Sequence, residues 1–202
     1  MKLLHIDASI LDEQSVSRQL TAEIVQQFMM SDPQISVTYH DLAHTFIPHL
    51  SGAEFLALQG IEPKDELIKQ SIAQNAQYLD EFLAADVVII GAPMYNFSLP
   101  SQLKAWLDRL SVAGKTFRYT ESGSEGLVKG KRLIIASTRG GLYSEGMPAA
   151  GFDYQETYLK AFFSFLGIEE VTFVRAEGLA MGPDIRQTAL NTANEQIEKL
   201  AS

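Results

Sequence analysis

The chain has 202 residues, 46% hydrophobic and 20% charged, and contains no cysteine. Sixteen basic against twenty-five acidic residues leave a net charge of −9, a field that repels nucleic-acid backbones and anionic membranes. Without cysteine there is no disulfide framework, thiolate nucleophile, Cys-ligated zinc or iron–sulfur cluster.

A length near 200 suits a single domain over residues 1–202, large enough to bury about 70% of its unfolded surface. The N-terminal apolar run is too short for a signal peptide's hydrophobic region. The most apolar stretch, residues 87–94, falls far short of a bilayer span, so a cytoplasmic protein is expected.

The first strand is expected at residues 3–6 (LLHI). A helix follows Ser17, with Leu20, Ile24 and Phe28 at four-residue steps. Residues 35–39 alternate in polarity, as an edge strand does. After Pro63 a second helix carries Ile68, Ile72, Leu79 and Leu83. Residues 87–90 (VVII) are continuously apolar, the pattern of a strand covered on both faces. Pro100 opens a helix with Leu103, Leu107 and Leu110. Residues 116–127 (TFRYTESGSEGL) read as an inserted hairpin before the fourth strand, residues 133–136. Asp153 and Glu156 resemble a capping box ahead of Tyr158, Phe162, Phe165 and Leu166. The last strand, residues 171–174, precedes a helix that follows Pro183 and carries Ile185, Ala189, Ala193, Ile197 and Leu200. Met29, Met30 and the Phe162, Phe163, Phe165 group read as core, with one phenylalanine able to line a pocket. Strand–helix alternation of this kind gives an α/β, doubly wound, five-stranded parallel sheet with helices on both faces.

Ligands of such sheets bind beyond the carboxyl ends of the strands, where strand order reverses. The loop after the first strand carries Ser9, Ser15, Val16, Ser17 and Arg18 and opens into a helix. Serine hydroxyls beside unpaired helix N–H groups make an anion site, to which Arg18 could add charge; capping alone is the other reading. Asp12 and Glu13 would repel an anion and are expected to face solvent. After the third strand, Met94, Tyr95, Asn96 and Phe97 offer an apolar platform for a planar heteroaromatic ligand, or else an aromatic loop packed under the first helix. After the fourth come Thr138, Arg139, Gly140 and Gly141; paired glycines permit positive φ and close backbone approach, and also mark ordinary turns.

Gly114-Lys115-Thr116 lacks the first glycine and preceding strand of a phosphate-binding P-loop, and no G-x-G-x-x-G is present. His40, His44 and His49 put no trio on one helical face, so no metal site is expected.

Taken in order, these segments resemble the FMN-dependent NADH azoreductases, also described as NADH:quinone oxidoreductases, of the flavodoxin-like superfamily. The resemblance spans essentially the whole chain. It rests on Ser9 and Ser15-Val16-Ser17-Arg18, Ala92-Pro93-Met94-Tyr95-Asn96-Phe97 with Gln102-Leu103-Lys104, and Thr116-Phe117-Arg118-Tyr119-Thr120. Gly126-Leu127-Val128, Thr138-Arg139-Gly140-Gly141 and Ala176-Glu177-Gly178 complete it. It implies a flavodoxin-like fold in which Ser9, Ser15, Val16 and Ser17 hold the FMN phosphate. Met94, Tyr95, Asn96 and Phe97 would lie along the ribityl chain and isoalloxazine, and Thr138, Arg139, Gly140 and Gly141 would meet the ring. Thr138 stands where the family usually has serine, which keeps the hydroxyl.

The resemblance further implies ping-pong transfer from NADH to a small quinone or azo acceptor, with no protein residue nominated as a catalytic acid because FMN performs the hydride chemistry. It implies a homodimer whose partner chain completes the pocket; Tyr119 and Phe165 are the substrate-pocket candidates. Two alternatives stay open. A flavodoxin-type electron carrier is opposed by the inserted hairpin, the aromatic platform and a phosphate loop poor in glycine and threonine. A flavin-free binding module is the other; a phospho-acceptor version of it would want an acidic cluster where Asp7 stands alone.

Overall fold

The computed structural model describes residues 1–200. In chain order the elements are β1 (Lys2–Asp7), α1 (Val16–Ser31), β2 (Ser36–Asp41), α2 (Gly52–Leu58), α3 (Glu66–Ala84) and β3 (Val87–Pro93), then α4 (Ser101–Asp108), β4 (Phe117–Thr120) and β5 (Gly123–Gly126). They continue with β6 (Arg132–Thr138), α5 (Glu156–Leu166), β7 (Val171–Ala176) and α6 (Pro183–Glu198). Five strands pair in parallel in the order β2-β1-β3-β6-β7, with β2 at an exposed edge, while β4 and β5 form a separate antiparallel hairpin. This is the expected doubly wound sheet with its inserted hairpin.

Alternate residues of the buried strands face opposite layers. Leu4, Ile6, Val88, Ile90, Leu133 and Ile135 pack with Phe82, Trp106 and Phe163 of α3, α4 and α5. Leu3, Val87, Ile89, Ile134 and Ala136 pack with Leu20, Ile24 and Phe28 of α1 and Ile197 of α6. Burial on both faces is why β3 and β6 read as continuous apolar runs.

The hairpin docks on the end of α5. Gly167, at φ 102°, ends that helix in the left-handed conformation, and a Cβ on Gly126 would lie 2.2 Å from its nitrogen. The Val128 N–H donates to the Leu166 carbonyl at 2.9 Å. Only glycine at both positions lets the two backbones touch.

Three expectations need correction. Helix α2 has no counterpart among the expected elements, although Ser51 and Glu54 form a complete capping box at its start. The box expected at Asp153 and Glu156 is half made: Asp153 accepts from the N–H groups of Gln155 and Glu156, but the Glu156 carboxylate turns to Arg139 and Arg175. Met29 and Met30 are exposed rather than core, because they lie about 100° and 200° around the helix from Phe28. Phe163 is fully buried, whereas Phe162 and Phe165 are partly so. Among the described residues no helix is long and apolar enough to cross a membrane.

Candidate functional site

Strand order reverses between β1 and β3, since the chain leaves β1 for β2 and then returns past β1 to form β3. The loops after these strands diverge, leaving a crevice at the carboxyl edge, bounded on its far side by the loop after β6.

The first wall is rich in donors. Ser15 caps α1, its Oγ accepting from the Arg18 N–H at 3.3 Å and sharing a hydrogen bond with Ser17 Oγ at 3.1 Å. Both hydroxyls are buried. Val16 and Ser17 are the first two helical residues, so helix geometry offers their N–H groups no intrahelical partner. Ser9 is 1% exposed and shares a hydrogen bond with Tyr95 Oη at 3.1 Å. The Ile10 N–H donates to the same Tyr95 oxygen at 3.2 Å, tying the β1 loop to the β3 loop. Asp12 and Glu13 are exposed, as electrostatics required of a loop that could receive an anion. A helix N-terminus with two buried serine hydroxyls, whose neighbouring carboxylates are solvent-exposed, fits a phosphate monoester. Arg18, however, adds no free charge: its guanidinium is clamped by both carboxylate oxygens of Asp41 at 2.7 Å.

The second wall is strained. Met94 N–H donates to the Thr138 carbonyl at 2.8 Å, and Tyr95 and Ser98 exchange backbone hydrogen bonds around a two-residue turn. Its central residues, Asn96 (φ 49°) and Phe97 (φ 69°), are both left-handed. Asparagine tolerates this region, but a bulky phenylalanine there costs about 1–3 kcal/mol, a cost typical of ligand sites. The turn lifts the Phe97 ring to the surface, 47% exposed, where it meets Phe152 at 5.4 Å and Tyr143 edge-on at 6.2 Å. Phe152, beside Phe97, is a candidate site residue that sequence reasoning missed; its one local signal is an aromatic side chain directly after the small-residue run 148–151 (PAAG).

The third wall is braced from behind. Thr138 is buried at the end of β6. Gly140 and Gly141 do not use positive φ; their carbonyls accept from Ala180 and Gly178, extending the strand pairing past β7. A Cβ on Gly141 would crowd the Tyr143 ring at 3.2 Å. The Arg139 side chain points inward and is fully buried, with Asp153 at 2.8 Å, Glu156 at 2.5 Å and Glu177 at 3.5 Å. Only its backbone lies along the crevice. Burial pushes the Glu156 carboxyl up, but the Arg175 hydrogen bonds and the Arg139 charge outweigh it and hold that pKa below its ordinary value. Glu177 accepts from the N–H groups of Tyr143 and Ser144, fixing the loop beyond the glycines.

The structure thus brings together Ser9, Ser15, Val16, Ser17, Met94, Tyr95, Asn96, Phe97, Thr138, Arg139, Gly140 and Gly141 along one edge. Tyr119 and Phe165 lie elsewhere. Phe165 sits in the last turn of α5 against Phe117 (4.5 Å), and Tyr119 is 76% exposed on the hairpin. Helix α5 starts near the crevice and runs back for about 16 Å, so its end lies at the sheet's opposite edge. His40 pairs with Glu81, whereas His44 pairs with Asp41 and Asp12.

A family model described as a flavodoxin-like fold matches residues 1–201. A curated relative from Rhizobium meliloti, an FMN-dependent NADH:quinone oxidoreductase, is 57% identical over 98% of this chain and 95% of its own length. A protein of the same description from a Bradyrhizobium strain is 52% identical over the full length of both. Among solved structures, an azoreductase from Bacillus anthracis superposes with a TM-score of 0.90 at 31% identity, covering 100% of this chain and 98% of that one. A B. anthracis FMN-dependent NADH-azoreductase in complex with FMN gives 0.87 at 29% identity, covering 100% and 99%.

Proposed function

Because the chain belongs to the FMN-dependent NADH:quinone oxidoreductases of the flavodoxin-like fold, we infer that its crevice holds FMN and that it is an oxidoreductase using NADH to reduce quinones and azo compounds. One observation carries the placement: the buried Ser15 and Ser17 hydroxyls converge with free N–H groups at the start of α1, one strand away from a strained aromatic turn. A phosphate and a flat ring need those two features side by side.

In this reading Ser9, Ser15, Val16 and Ser17 bind the phosphate. Met94, Tyr95, Asn96 and Phe97 flank the ribityl chain and ring, while Thr138, Gly140, Gly141 and the Arg139 backbone close the far side. The chemistry that FMN supplies when bound is two-electron transfer from NADH to the acceptor. The protein orients and shields. Phe97, with Tyr143 and Phe152 beside it, offers a face on which a planar acceptor stacks. No side chain is assigned as proton donor, and solvent reaches the open mouth.

Donor and acceptor use that mouth in turn, giving ping-pong kinetics, and we place the reaction in the cytoplasm, where NADH is made. Tyr119 and Phe165, out of reach in their own chain, line the pocket of a second copy in a homodimer. Purified protein should be yellow or take up added FMN, bleach on addition of NADH without air, and recolour with a quinone. Steady-state plots should be parallel. A colourless protein that ignores FMN would instead favour a flavin-free module, and slow NADH oxidation would favour an electron carrier.

A further inference from the structure

Arg18 is the cation nearest in sequence to the serine-rich loop, yet its hydrogen bonds run to the loop's own backbone and to β2. Nε and Nη2 donate to the Ser9 carbonyl at 3.2 and 2.8 Å, while Nη1 and Nη2 meet Asp41 Oδ2 and Oδ1 at 2.7 Å each. Tyr39 Oη accepts from Nη1 at 3.2 Å and donates to Asp7 Oδ2 at 3.2 Å, and Thr21 donates to Asp7 Oδ1 at 2.8 Å. Gly91 makes room for this chain of contacts, since a Cβ there would lie 2.6 Å from Asp7 Oδ1. The hydrogen bond to Asp41 raises the Arg18 pKa. Burial pushes the Asp41 carboxyl up, but hydrogen bonds from Arg18, His44 and the Ala43 N–H hold it well below the usual carboxylate range. The pair stays ionised.

We propose that Arg18, anchored by Asp41, is a positioning residue that aims the phosphate loop, and is not itself a phosphate ligand. A trans peptide is planar, so drawing the Ser9 carbonyl onto the guanidinium turns the Ile10 N–H the other way, toward Tyr95 Oη at 3.2 Å. A released carbonyl could swing into the loop and set its negative end against a phosphate. The fork prevents this by joining Ser9, near the start of the loop, to the first turn of α1 and to the end of β2. Lysine cannot reproduce it, because an ammonium lacks the planar two-sided geometry.

The inference rests on the FMN reading, and a paired titration separates the two. FMN and riboflavin share the ring and differ in the phosphate, so the ratio of their dissociation constants, read by flavin fluorescence quenching, reports on the loop alone. Arg18→Lys keeps the charge and loses the fork; it should weaken FMN about tenfold or more and leave riboflavin unchanged within about twofold. Asp41→Asn removes the anchor and exposes the positive charge. Positioning predicts that this variant too loses preference for FMN, whereas direct charge attraction predicts a gain. Unchanged FMN affinity in Arg18→Lys, equal weakening of both flavins, or a raised preference in Asp41→Asn would each overturn the proposal. A wild-type protein with no preference for FMN would overturn the phosphate site itself, and the strap with it.

Discussion

Phe97 holds φ at 69° beside Asn96 at 49°, the conformation of a tight turn for which Asn-Gly is the preferred pair. Phe97→Gly would complete that pair and remove backbone strain of about 1–3 kcal/mol, offsetting the contacts of a half-exposed ring. The variant should therefore melt at or above the parent temperature, unlike a buried phenylalanine, whose truncation costs about 3–5 kcal/mol. Its KM for a planar quinone should rise. A large fall in melting temperature with unchanged KM would mean that the ring serves packing and not the acceptor. Residue identity at this turn was legible in the sequence, and its left-handed geometry was not. The identity of Phe97 argues against it; the paired hydrogen bonds that close the turn between Tyr95 and Ser98, together with the one from the distant Tyr154 N–H to the Phe97 carbonyl, impose it. The same holds for Arg139, which reads as a ligand-loop residue yet sends its charge inward because three carboxylates from later segments wait there.

Helix α2 is seven residues long, too short to persist alone, and is held to α3 by one buried carboxylate. Glu54 accepts from Ser71 at 2.6 Å, Asn75 at 3.0 Å and the Ser51 N–H at 2.7 Å, with Arg109 at 3.5 Å. Burial pushes this carboxyl up, but those hydrogen bonds win and hold its pKa at about 2, against an ordinary 4.5. A folded-state pKa below the unfolded one means that the contribution to stability is whole above about 4.5 and is lost as pH falls toward 2. Urea midpoints across that window should fall steeply in the parent and less so in Glu54→Gln, which should also be weaker near neutrality because Arg109 loses its counter-charge. Parallel curves would show that Glu54 does not latch α2. The Ser51-x-x-Glu54 spacing carried this helix in plain letters. The same spacing pointed to Asp153 and Glu156, where distant arginines claim the glutamate instead; a capping signal is local, but competition for a carboxylate is not.

At the scale of the whole molecule, the crevice and the inserted hairpin occupy opposite edges of the sheet. If Tyr119 and Phe165 serve a site at all, they serve one in another copy. A mixing experiment tests this. One chain carries Ser9→Ala with Ser17→Ala, which should cripple FMN binding by about 1.5–3 kcal/mol for each hydrogen bond lost to the phosphate. The other carries Tyr119→Ala with intact loops. Each homodimer should be defective, and refolding them together at equal concentration should restore intact sites in about a quarter of positions by random pairing. No recovery of quinone turnover above the two parents would place the hairpin outside the active site.

Apolar periodicity by itself determined the layer order and the five-stranded sheet, because strands buried on both faces and helices buried on one leave patterns that survive in linear sequence. The serine-rich start of α1 and the aromatic run after β3 were legible for the same reason: their chemistry belongs to neighbouring residues. Only the tertiary structure decided that Arg18 grips a carbonyl, that Arg139 turns inward, and that Tyr119 lies far from the loops of its own chain. Those outcomes depend on partners 9 to 23 residues away for Arg18 and on the sheet's two edges for Tyr119. Charge pairing and chain reversal act through space, and the Arg18–Asp41 pair, 23 residues apart, lies in no single local stretch of sequence.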